Sequence, residues 1–172
     1  MALIKSCRGF NPEFGEDCWL AENATVVGDV QVGKNCSIWF NAVVRGDVNS
    51  IRIGNNVNIQ DGAVIHCTYE KTKVHIGDNV SIGHNALVHG CTIEENVLIG
   101  MGSIVMDNCY ISSNCILAAG AVLLESTTME SWSIYAGIPA KKVKTLSPEL
   151  FQGEVQRIAK NYALYASWFK ES

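Results

Sequence analysis

The chain has 172 residues, of which 48% are hydrophobic and 17% are charged, and its formal net charge is −4. This length favours one domain with a sizeable core, and the negative charge argues against binding to nucleic acid or to anionic membranes. No apolar run approaches the about 18 residues that cross a bilayer. The N-terminus lacks the apolar stretch of a signal peptide, and the seven cysteines show no disulfide framework, so the sequence predicts a reducing, cytoplasmic location.

A six-residue repeat begins near Leu20 and continues to about residue 123. An aliphatic residue opens each segment, as in LAENAT, VVGDVQ and VGKNCS, and the fifth position is small or β-branched. A period of six fits neither an α-helix nor an amphipathic strand, and it is typical of hexapeptide β-helices, in which three segments form one triangular coil. The sequence therefore predicts an all-β parallel β-helix of about six coils over residues 1–146. Its left hand is taken from resemblance to proteins with this repeat.

The segment VIHCTYEKTK (64–73) interrupts the repeat by five residues, directly after His66. Residues that lie one coil apart stack above each other, so Arg45, His66 and His89 are expected on the same side of successive coils. The extra residues are expected to loop outward without disturbing this stack. The imidazoles of His66 and His89 should then lie one coil apart and point the same way.

His84 belongs to the preceding side of the triangle, where the count places it directly above Asp61. A corner separates it from His89, so one chain cannot easily direct all three histidines at one point. In a homotrimer, however, the face with His66 and His89 can meet a neighbour's face with His84. A single outward histidine is ordinarily polar surface, and His75 is interpreted that way.

Three neutral imidazoles are suitable ligands for zinc and other late first-row divalent ions, such as iron or cobalt. Three protein ligands leave one coordination position open, as in catalytic centres, where bound water loses a proton near neutral pH and attacks an electrophilic carbon. The pair Gln60–Asp61 is placed to orient such a water or a ligand. Arg45 and Asp47 are either surface charges or an ion pair at the subunit seam.

The tail changes to a helical period. Ser147 can cap a helix that has Pro148 at its first position. Apolar residues then recur at steps of three and four, which predicts a helix from about 148 to 170. We expect residues 147–172 to pack as a helix along a flat side of the β-helix or against a neighbouring subunit, because an isolated helix of this length is marginal in water.

The segments VVRGDVNSIRIGNNVNIQDGAVIH and IGHNALVHGCTI, followed by AGIPAKKV, resemble the γ-class carbonic anhydrase family over nearly the whole chain. The resemblance implies a homotrimer with zinc or iron at each subunit interface and the reversible hydration of carbon dioxide to bicarbonate by a metal-bound hydroxide. It implies the metal ligands His66 and His89 from one subunit and His84 from the next.

The resemblance also assigns supporting residues. It makes Arg45 an interface arginine with Asp47 and Asp61 as its salt-bridge partners. Gln60 matches the glutamine that hydrogen-bonds the metal-bound water. The family's prototype carries an acidic loop with a proton-shuttling glutamate; here that loop is shortened to 68–73, and Glu70 is its only carboxylate. Loss of the shuttle should slow regeneration of the hydroxide without removing the metal.

Several alternatives stay open on the sequence alone. Tyr135 precedes the AGIPAK turn and either packs there or lines the site with its hydroxyl. The same repeats occur in acyltransferases that use coenzyme A and rely on one histidine as general base. Such an enzyme needs basic residues for the coenzyme phosphates, and Lys141, Lys142 and Lys144 are the available cluster. A third possibility is a trimeric scaffold that holds a metal for stability alone.

Overall fold

The computed structural model describes residues 1–170, which form a parallel β-helix of about seven turns with one C-terminal helical segment. The architecture predicted from the repeat is confirmed, with one turn more than the expected six. The strands are short because each side of the triangle has only a few residues before the next corner. They are β1 (Leu3–Lys5), β2 (Glu13–Phe14), β3 (Trp19–Leu20), β4 (Thr25–Val32), β5 (Ser37–Ile38), β6 (Val43–Ile53), β7 (Asn58–Ile59), β8 (Val64–His66), β9 (Val74–Ile76), β10 (Ser81–Ile82), β11 (Leu87–His89), β12 (Thr92–Ile93), β13 (Val97–Ile99), β14 (Ile104–Val105), β15 (Tyr110–Ile111), β16 (Cys115–Leu117), β17 (Val122–Leu123), β18 (Thr128–Met129), β19 (Ser133–Ala136) and β20 (Lys141–Thr145).

The repeat builds the interior as expected from its period. The aliphatic residue that opens each segment points inward and stacks on its counterpart one coil away, for example Ile59 on Ile82 and Ile82 on Ile99. These side chains are fully buried. At the corners, many asparagines have positive φ angles, among them Asn56, Asn79 and Asn96. Asparagine tolerates this conformation better than bulky residues do, so the Asn-rich spacing of the sequence fixes where the chain turns.

Because each coil is triangular, the β-helix has three faces, and the side chains that point outward from them differ. The helix face carries β3, β5, β7, β10, β13, β16 and β19, with β20 returning antiparallel at its end. The histidine face carries the first part of β4 and β6 together with β8, β11, β14 and β17. The polar face carries the last part of β4 and β6 together with β9, β12, β15 and β18.

The outward residues show which faces meet solvent. On the polar face, one outward row reads Gln31, Arg52, His75, Thr92, Tyr110 and Thr128. On the histidine face, the corresponding row reads Val43, Val64, Leu87, Ile104 and Val122, and these residues are half-buried. The second outward row of this face continues above His89 with Met106 and Leu124, which are 39% and 48% exposed. The histidine face is therefore the apolar one.

The tail forms the predicted helical segment between residues 148 and 170. It begins as α1 (Pro148–Leu150), continues through a π-helical stretch (Phe151–Gln156) and ends as α2 (Arg157–Lys170). Ser147 caps it as predicted, since its side chain accepts a hydrogen bond from the Leu150 amide. The strand β20 and the π-helical stretch are features that the periodicity does not reveal.

The helical segment packs along the helix face of its own chain. Phe151 and Val155 lie in a buried cluster with Ile134, and Phe169 lies against Trp19 and Trp39 near the first coils. Of the two expected positions, the structure thus shows the flat side of the β-helix. No helix within residues 1–170 has the length and apolar character needed to cross a membrane.

Stability should depend on the inward row and not on the polar row beside it. Ile93 is fully buried, and Thr92, its neighbour in β12, points outward on the polar face. We expect Ile93→Ala to lower the free energy of unfolding by about 2–5 kcal/mol through lost packing and a cavity. The matched change Thr92→Ala should stay within about 0.5 kcal/mol. Urea unfolding monitored by circular dichroism measures both, and equal losses would contradict the assigned orientation.

Candidate metal centre

Two histidines meet on the histidine face. His66 ends β8 and His89 ends β11, and the two residues are direct partners in the parallel register. The extra residues after His66 loop outward, so the predicted stacking of these two rings is confirmed. His66 Nδ1 lies 3.2 Å from His89 Nε2, and the ring centroids are 5.2 Å apart.

In each ring, the nitrogen that does not face the other histidine contacts a carboxylate. His66 Nε2 lies 3.1 Å from Asp47 Oδ1, and His89 Nδ1 lies 2.5 Å from Asp107 Oδ1. The second oxygen of Asp107 accepts a hydrogen bond of 2.6 Å from the Thr68 hydroxyl, which fixes the start of the detour loop. Ligand histidines in proteins commonly have such carboxylate partners, which hold the ring and its tautomer.

His84 lies on the other side of a corner, one coil above Asp61 as the register count predicted. Its Nδ1 is 2.8 Å from Asp61 Oδ2, and its Nε2 is 3.1 Å from the hydroxyl of Tyr162 on α2. Together with Gln60 and Tyr162, His84 lines a cavity of about 410 Å³ between the helix and the coils. His84 therefore has a carboxylate on one nitrogen, in the same way as the other two histidines.

The surroundings of His66 favour its neutral imidazole, and those of Asp47 and Asp107 favour their ionised carboxylates. Burial lowers the pKa of His66 below its ordinary value, and the nearby Arg45 charge acts in the same direction. Burial alone would raise the pKa values of Asp47 and Asp107, but their hydrogen bonds outweigh it. Arg45 and His66 lower the pKa of Asp47, while Thr68 and His89 lower that of Asp107.

The predicted interface charges separate into two groups within one chain. Arg45 Nη1 is 2.5 Å from Asp47 Oδ2, which gives the expected ion pair. Asp61 pairs with His84 on the other side of the corner. A contact between Arg45 and Asp61 is thus not made within the chain, because they lie on different faces.

The residues expected to act on substrate occupy different surroundings. Gln60 is only 4% exposed and donates a hydrogen bond of 3.0 Å to Asn58 Oδ1, beside the cavity that His84 lines. Glu70 lies at the tip of the detour loop with a φ of +55° and lines a cavity of about 250 Å³ together with Asp47.

Of the two alternatives left open for Tyr135, the structure shows the packed position, and Tyr135 does not contact the histidines within the chain. Tyr135 pairs in register with Leu117, which places it in the inward row of the last coil. It is 8% exposed, and its hydroxyl lies 3.4 Å from the Glu130 amide. Its side chain therefore closes the top of the core.

Sequence reasoning missed two residues of the cluster. Asp107 lies one coil above Gly90. The repeat that contains Gly90 has only five residues, and this irregularity hides from the sequence how close Asp107 is to His89. Gly90 is required there, because a Cβ would come within 2.2 Å of Asp107 Oδ1. Tyr162 follows the spacing of the apolar helix face, and nothing in that spacing signals a contact with a residue 78 positions away.

The pair His66 and His89 fits a metal ion by a simple measure. Two nitrogens bound to a tetrahedral zinc at about 2.0–2.1 Å are about 3.3 Å apart, which is close to the observed 3.2 Å. Among residues 1–170 of one chain, no three His, Cys, Asp or Glu groups converge in a way that could hold an ion. The corner that separates His84 accounts for this. One chain therefore has two candidate ligands, His66 and His89, on the histidine face. The third, His84, lies across the corner with Asp61 as its carboxylate partner.

The chain is similar to proteins of known name. The bacterial transferase hexapeptide family (six repeats) matches residues 11–46 and 90–125. The protein named Gamma carbonic anhydrase 2, mitochondrial, of Arabidopsis thaliana is 38% identical over 159 residues, which cover 88% of this chain and 56% of that protein. The chain thus spans about half the length of its plant relatives.

Two further relatives match over nearly their full length. The protein named Carbonic anhydrase of Geobacillus kaustophilus is 34% identical over 168 residues, which cover 98% of this chain and 91% of that protein. A crystal structure of a hexapeptide transferase family protein from Anaplasma phagocytophilum superposes with a TM-score of 0.92 at 36% identity, covering 97% of this chain and 98% of that one.

Proposed function

Since the chain belongs to the γ-class carbonic anhydrase family, we propose that it is a homotrimeric metalloenzyme that interconverts carbon dioxide and bicarbonate. The observation that carries this proposal is the carboxylate partner on His66, His84 and His89. The fourth histidine, His75, is exposed on the polar face and serves as the internal contrast.

The proposed ligands are His66 and His89 of one subunit and the partner subunit's His84. We propose zinc as the ion, with iron or cobalt as alternatives, because imidazole suits all three. When bound, the ion would supply the Lewis acidity that lets water act as a nucleophile near neutral pH. Asp47, Asp107 and Asp61 would hold the three rings in place and keep the liganding nitrogen free of a proton.

The character of the faces supports a trimer. The histidine face has one apolar row, and its second row continues beyond His89 with Met106 and Leu124, whereas the polar face carries hydrophilic side chains and the helix face is covered by its own helix. Soluble proteins rarely expose a contiguous apolar patch without a partner for it. A closed ring of three subunits would cover each histidine face with the corner that bears His84 of the next subunit, and each interface would then complete one site.

The remaining residues of the cluster would act on water and substrate. Gln60 and Tyr162 would orient hydrogen bonds beside His84, since both line its cavity. Glu70 would accept a proton at the entrance next to Asp47, as the single carboxylate of the shortened loop. Arg45 would keep its ion pair with Asp47 at the subunit interface, and it would form a second ion pair with the partner subunit's Asp61.

The location that we propose is the cytoplasm. All seven cysteines, Cys7, Cys18, Cys36, Cys67, Cys91, Cys109 and Cys115, are free. Free thiols in this number suit a reducing compartment.

Metal content tests the shared site. We expect about one ion per chain in wild-type protein purified without chelators, and a loss of that ion in both His66→Ala and His84→Ala. If the two variants are mixed by refolding, a random mixture of trimers should recover about a quarter of the wild-type metal, because an intact interface forms where the right pair of chains meets. Elemental analysis of the trimer fraction measures this.

The matched control is His75→Ala, which should keep the full metal content. A complete absence of recovery on mixing, with trimers formed, would place the site within one chain. A metal-free wild-type trimer would contradict the metal proposal itself.

The apolar face can be tested without any metal. Leu124 is exposed on the histidine face and Thr128 is exposed in the same coil on the polar face. We expect Leu124→Lys to shift the protein from a trimer towards the 18.7 kDa monomer, because a charge would be buried at the seam. Thr128→Lys should remain trimeric. Sedimentation velocity distinguishes these outcomes, and a trimer unaffected by Leu124→Lys would contradict the proposed face.

Activity decides between the anhydrase and an acyltransferase. The likeness to a hexapeptide transferase family protein favours the second candidate, in which coenzyme A would meet Lys141, Lys142 and Lys144. We expect stopped-flow hydration of carbon dioxide that falls by at least tenfold in Gln60→Ala and by a smaller factor in Glu70→Gln. Transfer from acetyl-coenzyme A should be undetectable. The opposite pattern would establish the transferase, and inactivity in both assays with metal retained would favour a metal-stabilised scaffold.

A further inference from the structure

Two pairs of cysteines stack in the coils, away from the histidines. Trp19 pairs with Ser37 and Thr92 pairs with Tyr110, so the residues preceding them, Cys18 with Cys36 and Cys91 with Cys109, are also in register one coil apart. In-register neighbours on adjacent strands are about 4.8 Å apart, within the about 4.4–6.8 Å that a disulfide spans between Cα atoms. Both pairs therefore have the backbone spacing for a disulfide, but their surroundings differ.

The pair Cys18 and Cys36 lies at the open end of the β-helix. Cys18 is half-buried, and its partner Cys36 lines a cavity of about 240 Å³ together with Asp17 and Lys170. Lys170 donates a hydrogen bond of 2.7 Å to the Asp17 carbonyl, which keeps its ammonium group beside Cys18. Cys91 and Cys109, in contrast, are both buried.

The pKa values of Cys18 and Cys36 are shifted in opposite directions. A hydrogen bond from the Cys36 thiol, together with the Lys170 charge, lowers the pKa of Cys18 to about 6 despite partial burial. The same hydrogen bond, followed by burial, raises the pKa of Cys36. Burial raises the pKa of Cys91 as well. The lowered pKa and the Lys170 ammonium beside it favour the attacking role for Cys18, and the more deeply buried Cys36 is left as the resolving cysteine.

We propose that Cys18 is a peroxide-reactive thiol and that Cys36 resolves it to a disulfide that joins the first two coils. The Cys18 thiolate attacks the O–O bond of a hydroperoxide, which leaves a sulfenic acid on Cys18 and releases hydroxide or alkoxide. The sulfur of Cys36 then attacks Sγ of Cys18, and the sulfenic oxygen leaves as water with the Cys36 proton. Two thiols are oxidised and one peroxide is reduced.

The bond would fasten the end of the solenoid. A terminal coil of a repeat protein stacks on one neighbour only, so its strand pairing is the part that opens most easily. The first two coils are held together here by hydrogen bonds such as that from the Trp19 amide to the Cys36 carbonyl, 2.9 Å. The proposal is independent of the anhydrase activity, because neither cysteine contacts the proposed metal ligands.

Peptide mapping tests the bond. Trypsin cuts after Arg8, Lys34 and Arg45, so Cys18 and Cys36 fall in separate peptides, 9–34 and 35–45. After full-length protein is treated with hydrogen peroxide at pH 7 and blocked with N-ethylmaleimide, we expect mass spectrometry to find these two peptides linked. Cys91→Ala, from the matched buried pair, should form the same link.

Two variants test the division of roles. In Cys36→Ala, dimedone should trap the sulfenic acid on Cys18, and the pH midpoint of Cys18 alkylation should rise from about 6 towards the ordinary value of about 8.5. Cys36→Ser keeps a hydrogen-bond donor at this position and serves as the second variant if Cys36→Ala does not fold. It should also accumulate the sulfenic acid on Cys18. Unlinked peptides in the oxidised wild type, or equal linkage of Cys91 with Cys109, would overturn the proposal.

Discussion

The vertical register between coils is the constraint on which the rest of this structure depends. Backbone hydrogen bonds run from each coil to the next, and inward aliphatic residues stack on their counterparts, so a shift by one residue would move the buried row to the surface. Asparagines with positive φ at the corners fix where each side ends. Function is built on this register, because outward side chains one coil apart are held at a set spacing.

The candidate centre shows how the register is preserved where the repeat fails. The detour after His66 leaves the ladder and rejoins it at β9, so His66 and His89 still pair. Thr68 ties the start of that detour to Asp107, which itself holds His89. The irregular loop and the histidine pair are thus one unit, in which a single carboxylate fixes both the ring and the loop beside it.

The triangular cross-section explains why one chain holds an incomplete site. His84 lies at a corner and faces away from the other two histidines, although all three have carboxylate partners. The histidine face is also the apolar face. The surface that a second subunit would cover is therefore the same surface that lacks the third metal ligand. Under the proposed trimer, covering the apolar face and completing the site are the same event, which would make metal binding depend on assembly.

The sequence by itself determined the β-helix, the helix from 148 to 170 and the stacking of His66 on His89, because a strict period translates directly into register. It also placed His84 above Asp61. Only the tertiary structure decided that Asp107 holds His89, that Tyr162 reaches His84 from a distant helix and that Tyr135 closes the core. These contacts join segments of different period or cross a five-residue repeat, and no local pattern records them. The physical reason is that periodicity fixes neighbours along a ladder, whereas packing between a helix and a coil depends on side-chain shape and on the direction in which the helix returns.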